Sequence, residues 1–314
     1  MARRFALHRQ IASLDPEGSP ELRLLPPLQD VARGLVPRQA GRADAPSPLP
    51  AEAEQGGRGP SSPTIHPSPS LIALLPGSFD PFTRAHAALA RAALETPPRP
   101  IQHPTSNVQD RPDLLLLTLT QRTVDKEDTH VASLEDRALL LQHWAQSQRP
   151  SALSRRLCVG LCNRGLYLEQ AQAARHLFPP PAQLVFVVGY DKLIQILDPR
   201  YYDRRDAALA ELFTLSSLWV APRGAGDAQA VANLLALPEN RRHASAIHLL
   251  AVPRAFAHLS ATAVRAALQT GRLPRSLLPA TTLRFIRDTG TYLPKPGSAI
   301  KGATPARGAP CVQN

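Results

Sequence analysis

The sequence predicts an α/β fold built on a doubly wound parallel sheet. Short continuous apolar runs at 72–75, 113–119 and 184–189 have strand length and no polar alternation, as strands covered on both faces do. Each is followed by a stretch rich in Ala, Leu and other helix formers, and Pro or Gly punctuates the junctions.

The 314 residues divide unevenly. The 33 prolines are about twice the average usage and crowd the ends of the chain. Residues 1–69 read as a largely disordered extension rich in Pro, Ala, Ser and Arg, with 45–69 a linker, because such a composition buries too little apolar surface to offset chain entropy. Around 22–35 there is enough Leu and Val for a short docking helix. Residues 70–293 are expected to form one domain, and 294–314 a disordered tail.

Net charge is +11, from 36 basic and 25 acidic residues. Residues 1–70 carry eight Arg against seven acids, so +10 belongs to the remainder. That suits a protein handling phosphorylated small molecules. Few aromatics and no known nucleic-acid module argue against nucleic-acid binding. Cys158, Cys162 and Cys311 make neither a disulfide framework nor a metal site, which points to a reducing compartment. With no long apolar span, no membrane association is expected. A soluble cytoplasmic or nuclear protein is the expectation, with Arg3, Arg4 and Arg9 also compatible with a mitochondrial presequence.

The first strand, 72–75, ends at Pro76-Gly77. Asp80-Pro81 supplies turn chemistry, with Asp able to bond its own backbone. A helix then runs to about Leu94, stopped by Pro97-Pro98, with His86 in its first turn among open N–H groups that welcome an anion. After the 113–119 strand come a loop carrying Lys126 and a helix capped by Ser133. A strand at 157–162 and a helix at 168–177 follow. The 184–189 strand ends in Gly189-Tyr190-Asp191, where open parallel sheets bind ligands. Asp191 is read both as facing the cleft and as capping a helix over 192–197. A strand at 218–221 runs into Arg223, a candidate phosphate contact, and is followed by a helix at 228–237 and a last strand at 247–252. Ser260 caps a helix ending near Gly271, and Thr262 and Arg265, three apart, project from the same side of its first turn. Leu283, Phe285 and Ile286 belong to a final helix.

The run Gly77-Ser78-Phe79-Asp80-Pro81-Phe82-Thr83-Arg84-Ala85-His86 resembles the first signature of the HxGH nucleotidyltransferase superfamily, in the variant with Thr in place of the first His. Ala85 stands where that pattern has Gly. Residues 259–265 resemble the family's ISSTxxR motif, and Asp198 to Tyr202, DPRYY, resembles a segment of the fungal-type nicotinamide mononucleotide (NMN) adenylyltransferases.

The resemblance implies a Rossmann-like sheet of nucleotidyltransferase type. It further implies ATP contacts from Gly77, Ser78, Phe79, Thr83, His86, Gly189, Asp191, Ser260, Thr262 and Arg265. Lys126, Arg137, Asp191 and Arg223 would hold the acceptor, and His86, Arg265 and Lys126 would be the catalytic set. No enzyme nucleophile is needed, only positioning and positive charge along the moving phosphates. The expected reaction is adenylyl transfer from ATP, with Mg²⁺ on its oxygens, to nicotinamide or nicotinate mononucleotide, giving NAD or its deamido form and pyrophosphate. Phosphopantetheine adenylyltransferase and cytidylyltransferase chemistry stay open, as does a non-catalytic nucleotide- or nucleic-acid-binding role. Oligomeric state is not legible.

Overall fold

Each predicted apolar run folds as a strand of one eight-stranded sheet. In the computed structural model, residues 2–25, 70–101, 111–122, 124, 130–148, 155–222, 225–256 and 261–294 are described. The strands are β1 (Leu22–Leu24), β2 (Leu71–Pro76), β3 (Arg99–Pro100), β4 (Leu114–Thr120), β5 (Leu157–Cys162), β6 (Gln183–Gly189), β7 (Ser217–Ala221) and β8 (Ile247–Leu249). Their order is β1-β5-β4-β2-β6-β7-β8-β3. The six inner strands are parallel, and β1 and β3 close the two edges antiparallel to β5 and β8.

β2 lies between β4 and β6, with Leu74 level with Leu116 on one side and Phe186 on the other. The order of succession reverses between β2 and β6, which makes the carboxyl ends of these two strands the topological switch point where such sheets bind ligands. All three central strands are almost wholly buried, which explains the unbroken apolar runs.

The helices of eight or more residues, in chain order, are α1 (Ala2–Ala12), α2 (Arg84–Glu95), α3 (Leu134–Ser147), α4 (Tyr167–Leu177), α5 (Tyr190–Leu197), α6 (Arg205–Leu215), α7 (Ala225–Ala236), α8 (Ala261–Gln269) and α9 (Ala280–Thr289). Ser133 caps α3 as expected, accepting from the Asp136 N–H at 3.2 Å. Gly271 follows α8 with φ +77°, and Gly290 ends α9 with φ +69°, the left-handed cap that glycine adopts without Cβ strain.

Two expectations are corrected. Residues 2–25 are not a disordered extension, nor is there a helix at 22–24: α1 packs on α3 and β1 joins the sheet. The reason is sparse but complete burial, because Leu7, Leu14, Leu22 and Leu25 are each buried while their neighbours are not. β1 also satisfies the open edge of β5. The expected helix residues 26–35, the linker and the C-terminal tail lie outside the described residues. The second correction concerns α5, which starts at Tyr190 with Gly189 as its N-cap, so Asp191 sits inside the first turn and not at the cap position. Its charge still complements the positive helix end.

A second, smaller apolar cluster of Val264, Leu268, Leu278, Ile286 and Tyr292 joins α8 and α9. It docks onto the turn after β2: the Arg84 N–H donates to Leu277 O at 2.9 Å and the Thr282 hydroxyl to Phe82 O at 3.0 Å. Among the described residues, no helix is long and apolar enough to cross a membrane.

Candidate phosphate site

The chain leaves the sheet at Gly77, whose N–H still reaches Thr118 O at 3.1 Å. A Cβ at Gly77 would stand 3.0 Å from the Phe79 ring, so any side chain there would press on the ring folded back under the loop. Phe79 itself has φ +47°, a left-handed conformation costly for an aromatic residue. Its fully buried ring holds it there, packed on Phe82 at 5.7 Å and on His86 at 5.1 Å between centroids. The Asp80-Pro81 peptide is cis.

Asp80 does not bond its own backbone, as the turn reading expected. Its fully buried carboxylate crosses to the segment before α3, accepting from Val131 N–H at 2.9 Å and Ala132 N–H at 3.3 Å, with His130 Nδ1 at 3.5 Å. Tyr292 lies against the same carboxylate. Burial, helped by the Asp80 charge, pushes its phenol well above the ordinary value.

Two arginines grip the loop's carbonyls. Arg137, only 5% exposed, donates from Nη1 to Ser78 O at 3.0 Å. Burial lowers its pKa, and the Asp80 charge opposes that shift. Arg265 donates from Nη1 to Asp80 O at 2.6 Å and from Nη2 to Thr262 Oγ1 at 3.1 Å. Because N–H and C=O of a trans peptide point oppositely, tying Ser78 O to Arg137 turns the Phe79 N–H the other way.

Thr83 caps α2 and forms a reciprocal box with His86. His86 Nδ1 accepts the Thr83 N–H at 3.0 Å, which assigns the proton of the neutral ring to Nε2. A donor atom is thereby fixed at the start of α2. The N–H groups expected to be open there are partly taken: Arg84 N–H by Leu277 O, and His86 N–H by Thr83 Oγ1 at 3.5 Å. Ala85 is half-buried in the same turn.

Of the sequence-predicted residues, Gly77, Ser78, Phe79, Thr83 and His86 form this loop, and Arg137, Thr262 and Arg265 meet at it. Gly189 and exposed Asp191 stand at the end of β6, beside β2. Lys126, Arg223 and Ser260 lie outside the described residues. Sequence reasoning missed Asp80 as a cross-strut and Tyr292 and Thr282 as supports. The only sequence signal was their polarity within apolar surroundings.

A cavity of about 110 Å³ opens beside the loop, lined by Gly77, Ser78, Thr120, Tyr167, Lys192 and Tyr202 among others. The 198–202 segment borders it: Asp198 accepts from Arg200 N–H at 3.0 Å, and Tyr202 OH donates to Ile196 O at 2.7 Å. Cavity and loop share the strand ends at the switch point.

Fold and loop together define a phosphate-handling α/β domain of nucleotidyltransferase type. The chain belongs to the cytidylyltransferase-like family, whose model matches residues 74–267. A probable nicotinate-nucleotide adenylyltransferase of Herminiimonas arsenicoxydans is 27% identical over 233 residues, 70% of this chain and 96% of that relative. Solved structures of Plasmodium falciparum nicotinic acid mononucleotide adenylyltransferase resemble it at lower identity. The complex with APC gives 13% identity and a TM-score of 0.46, and the complex with NaAD 14% and 0.49. Each alignment covers 71% of this chain and 97% of the other.

Proposed function

We propose that the protein transfers the adenylyl group of ATP to the phosphate of nicotinamide or nicotinate mononucleotide. A phosphate oxygen of the mononucleotide attacks the α-phosphorus in line, the bond to the β-phosphate oxygen breaks, and pyrophosphate leaves. The observation that carries this reading is the His86 Nε2–H donor, fixed by Thr83, in a loop clamped by Arg137 and Arg265. Such a donor is in place before charge moves onto the phosphoryl oxygens and needs no rearrangement to stabilise it. The family match and the name of the Herminiimonas relative support the choice of reaction and acceptor.

In this reading Gly77, Ser78, Phe79, Thr83, Gly189, Asp191, Ser260 and Thr262 hold ATP with His86 and Arg265. The small cavity takes one end of the mononucleotide, with Lys126 and Arg223 on its phosphate. Arg137 acts from behind the loop rather than on the acceptor, since its guanidinium is buried against Ser78 O. The loop's donors, imidazole N–H and guanidinium, fit phosphate oxygens and not a cation. Mg²⁺ would therefore ride on the ATP oxygens, where it offsets their charge.

The test is product analysis after incubation with Mg-ATP and, separately, nicotinamide mononucleotide, nicotinate mononucleotide, phosphopantetheine, and CTP with a phosphorylated alcohol. NAD or its deamido form is the expected product. Product only with phosphopantetheine or CTP reassigns the acceptor. No product with any of them, together with salt-sensitive retention on DNA, refutes the enzyme reading.

A further inference from the structure

The cavity beside the phosphate loop has walls from two neighbouring strands, and both are gripped from outside by the same stretch of the N-terminal segment. Thr120, the last residue of β4, and Val124 beyond it line the cavity. Between them, Gln121 Nε2 donates to Ile11 O at 2.8 Å, and the Arg122 guanidinium pairs with Glu17 at 2.9 Å. After β5, Gly165, Leu166 and Tyr167 line it. Just before them, Asn163 and Arg164 hold residues 15–21.

Asn163 is the central fastener. It is 1% exposed, and Nδ2 donates to Asp15 O at 2.7 Å and Ser19 O at 2.9 Å. Its Oδ1 accepts the Glu21 N–H at 2.8 Å. Arg164 adds bonds to Glu17 O at 2.7 Å and Gly18 O at 2.6 Å. The two walls also pack closely on each other, with Gly165 so near that a Cβ there would lie 2.8 Å from Arg122 O. A shift of residues 11–21 therefore moves both walls at once. Helix α1, which leads into this segment, reaches α3, where Arg4 pairs with Asp136 at 3.1 Å and His8 with Glu135 at 2.9 Å, just before Arg137.

We propose that residues 11–21 are a positioning element of the acceptor cavity, with Asn163 as its main anchor. The segment does not line the cavity, and it acts through Gln121-Arg122 and Asn163-Arg164 on the residues that do. The inference rests on the adenylyl-transfer reading, in which that cavity takes one end of the mononucleotide.

The test uses the full chain. Asn163→Ala removes three buried hydrogen bonds and should raise KM for the mononucleotide by about tenfold, leaving KM for ATP and kcat within about twofold. Gln121→Ala, which loses only the Ile11 tether, should move the same parameter less. A merely structural role would lower the active fraction, and so kcat, without separating the two KM values. Hydrogen exchange on the wild-type protein covers the case in which Asn163→Ala does not fold. Added mononucleotide should slow exchange at residues 13–21, and ATP alone should not. Active enzyme with unmoved mononucleotide KM, or protection at 157–167 without protection at 13–21, overturns the inference and leaves the reaction standing. A wild-type protein that makes no product overturns both.

Discussion

Replacing Asp80 by Asn keeps the volume and removes one charge and one acceptor from a site with no water access. The carboxylate faces two backbone donors, Val131 N–H and Ala132 N–H, with His130, Tyr292 and the buried Arg137 around it. An amide has one oxygen, so its NH₂ must point at one of those N–H groups, and stranding a buried donor costs about 1–3 kcal/mol. Arg137 also loses a negative charge whose field favours its protonated form. The upper end of that range, about 3 kcal/mol, is the working value for the two losses together. For a domain of this size that lowers the melting temperature by roughly 6–12 °C. The assay is thermal and urea unfolding of Asp80→Asn beside wild type, with turnover measured well below the transition. Because Asp80 ties the loop to the start of α3, turnover should fall as well. A melting shift below about 2 °C with unchanged turnover would refute the strut.

His86→Ala removes the Nε2–H donor and half of the capping box. Turnover should fall by about 10²–10³-fold while stability falls by only about 1 kcal/mol, and near-normal turnover would sink the assignment. Gly77→Ala drives a methyl into the Phe79 ring, which Phe82 and His86 hold in place, and should cost about 1–3 kcal/mol by urea unfolding. His248 and His243 have pKa values lowered by burial. For a depressed histidine the unfolded chain binds the proton first, so stability is full above the ordinary value of about 6.5 and is lost as pH falls below it. The urea midpoint should therefore drop between about pH 7 and 5, with a shallower drop in His248→Gln. An identical slope in that variant would refute the contribution.

The parts read correctly from sequence are those governed by short-range chemistry. The apolar runs of β2, β4 and β6 are continuous because both faces are covered, and that pattern is visible in a window of six residues. Ser133 as a cap and Gly271 as a helix stop depend only on neighbouring backbone groups. The meeting of Thr262 with Arg265 follows from helical spacing alone. Asp191 shows where this reasoning slips: one oxygen near a helix start looks like a cap from sequence, but the helix begins two residues earlier, with Gly189 in the cap position.

Sequence by itself thus determined the six inner strands and helix caps such as Ser133, because periodicity and capping act within a few positions, while the chemistry expected of the Gly77 to His86 loop came from its resemblance to a known family. Only the tertiary structure decided what holds that loop in shape. Asp80 finds its donors 51 and 52 residues away, Arg265 reaches Asp80 O from 185 residues away, and Asn163 seizes a segment more than 140 residues upstream. No local pattern encodes such pairings. They exist because burying a polar group without a partner is costly, and only the packed chain says which partners are within reach.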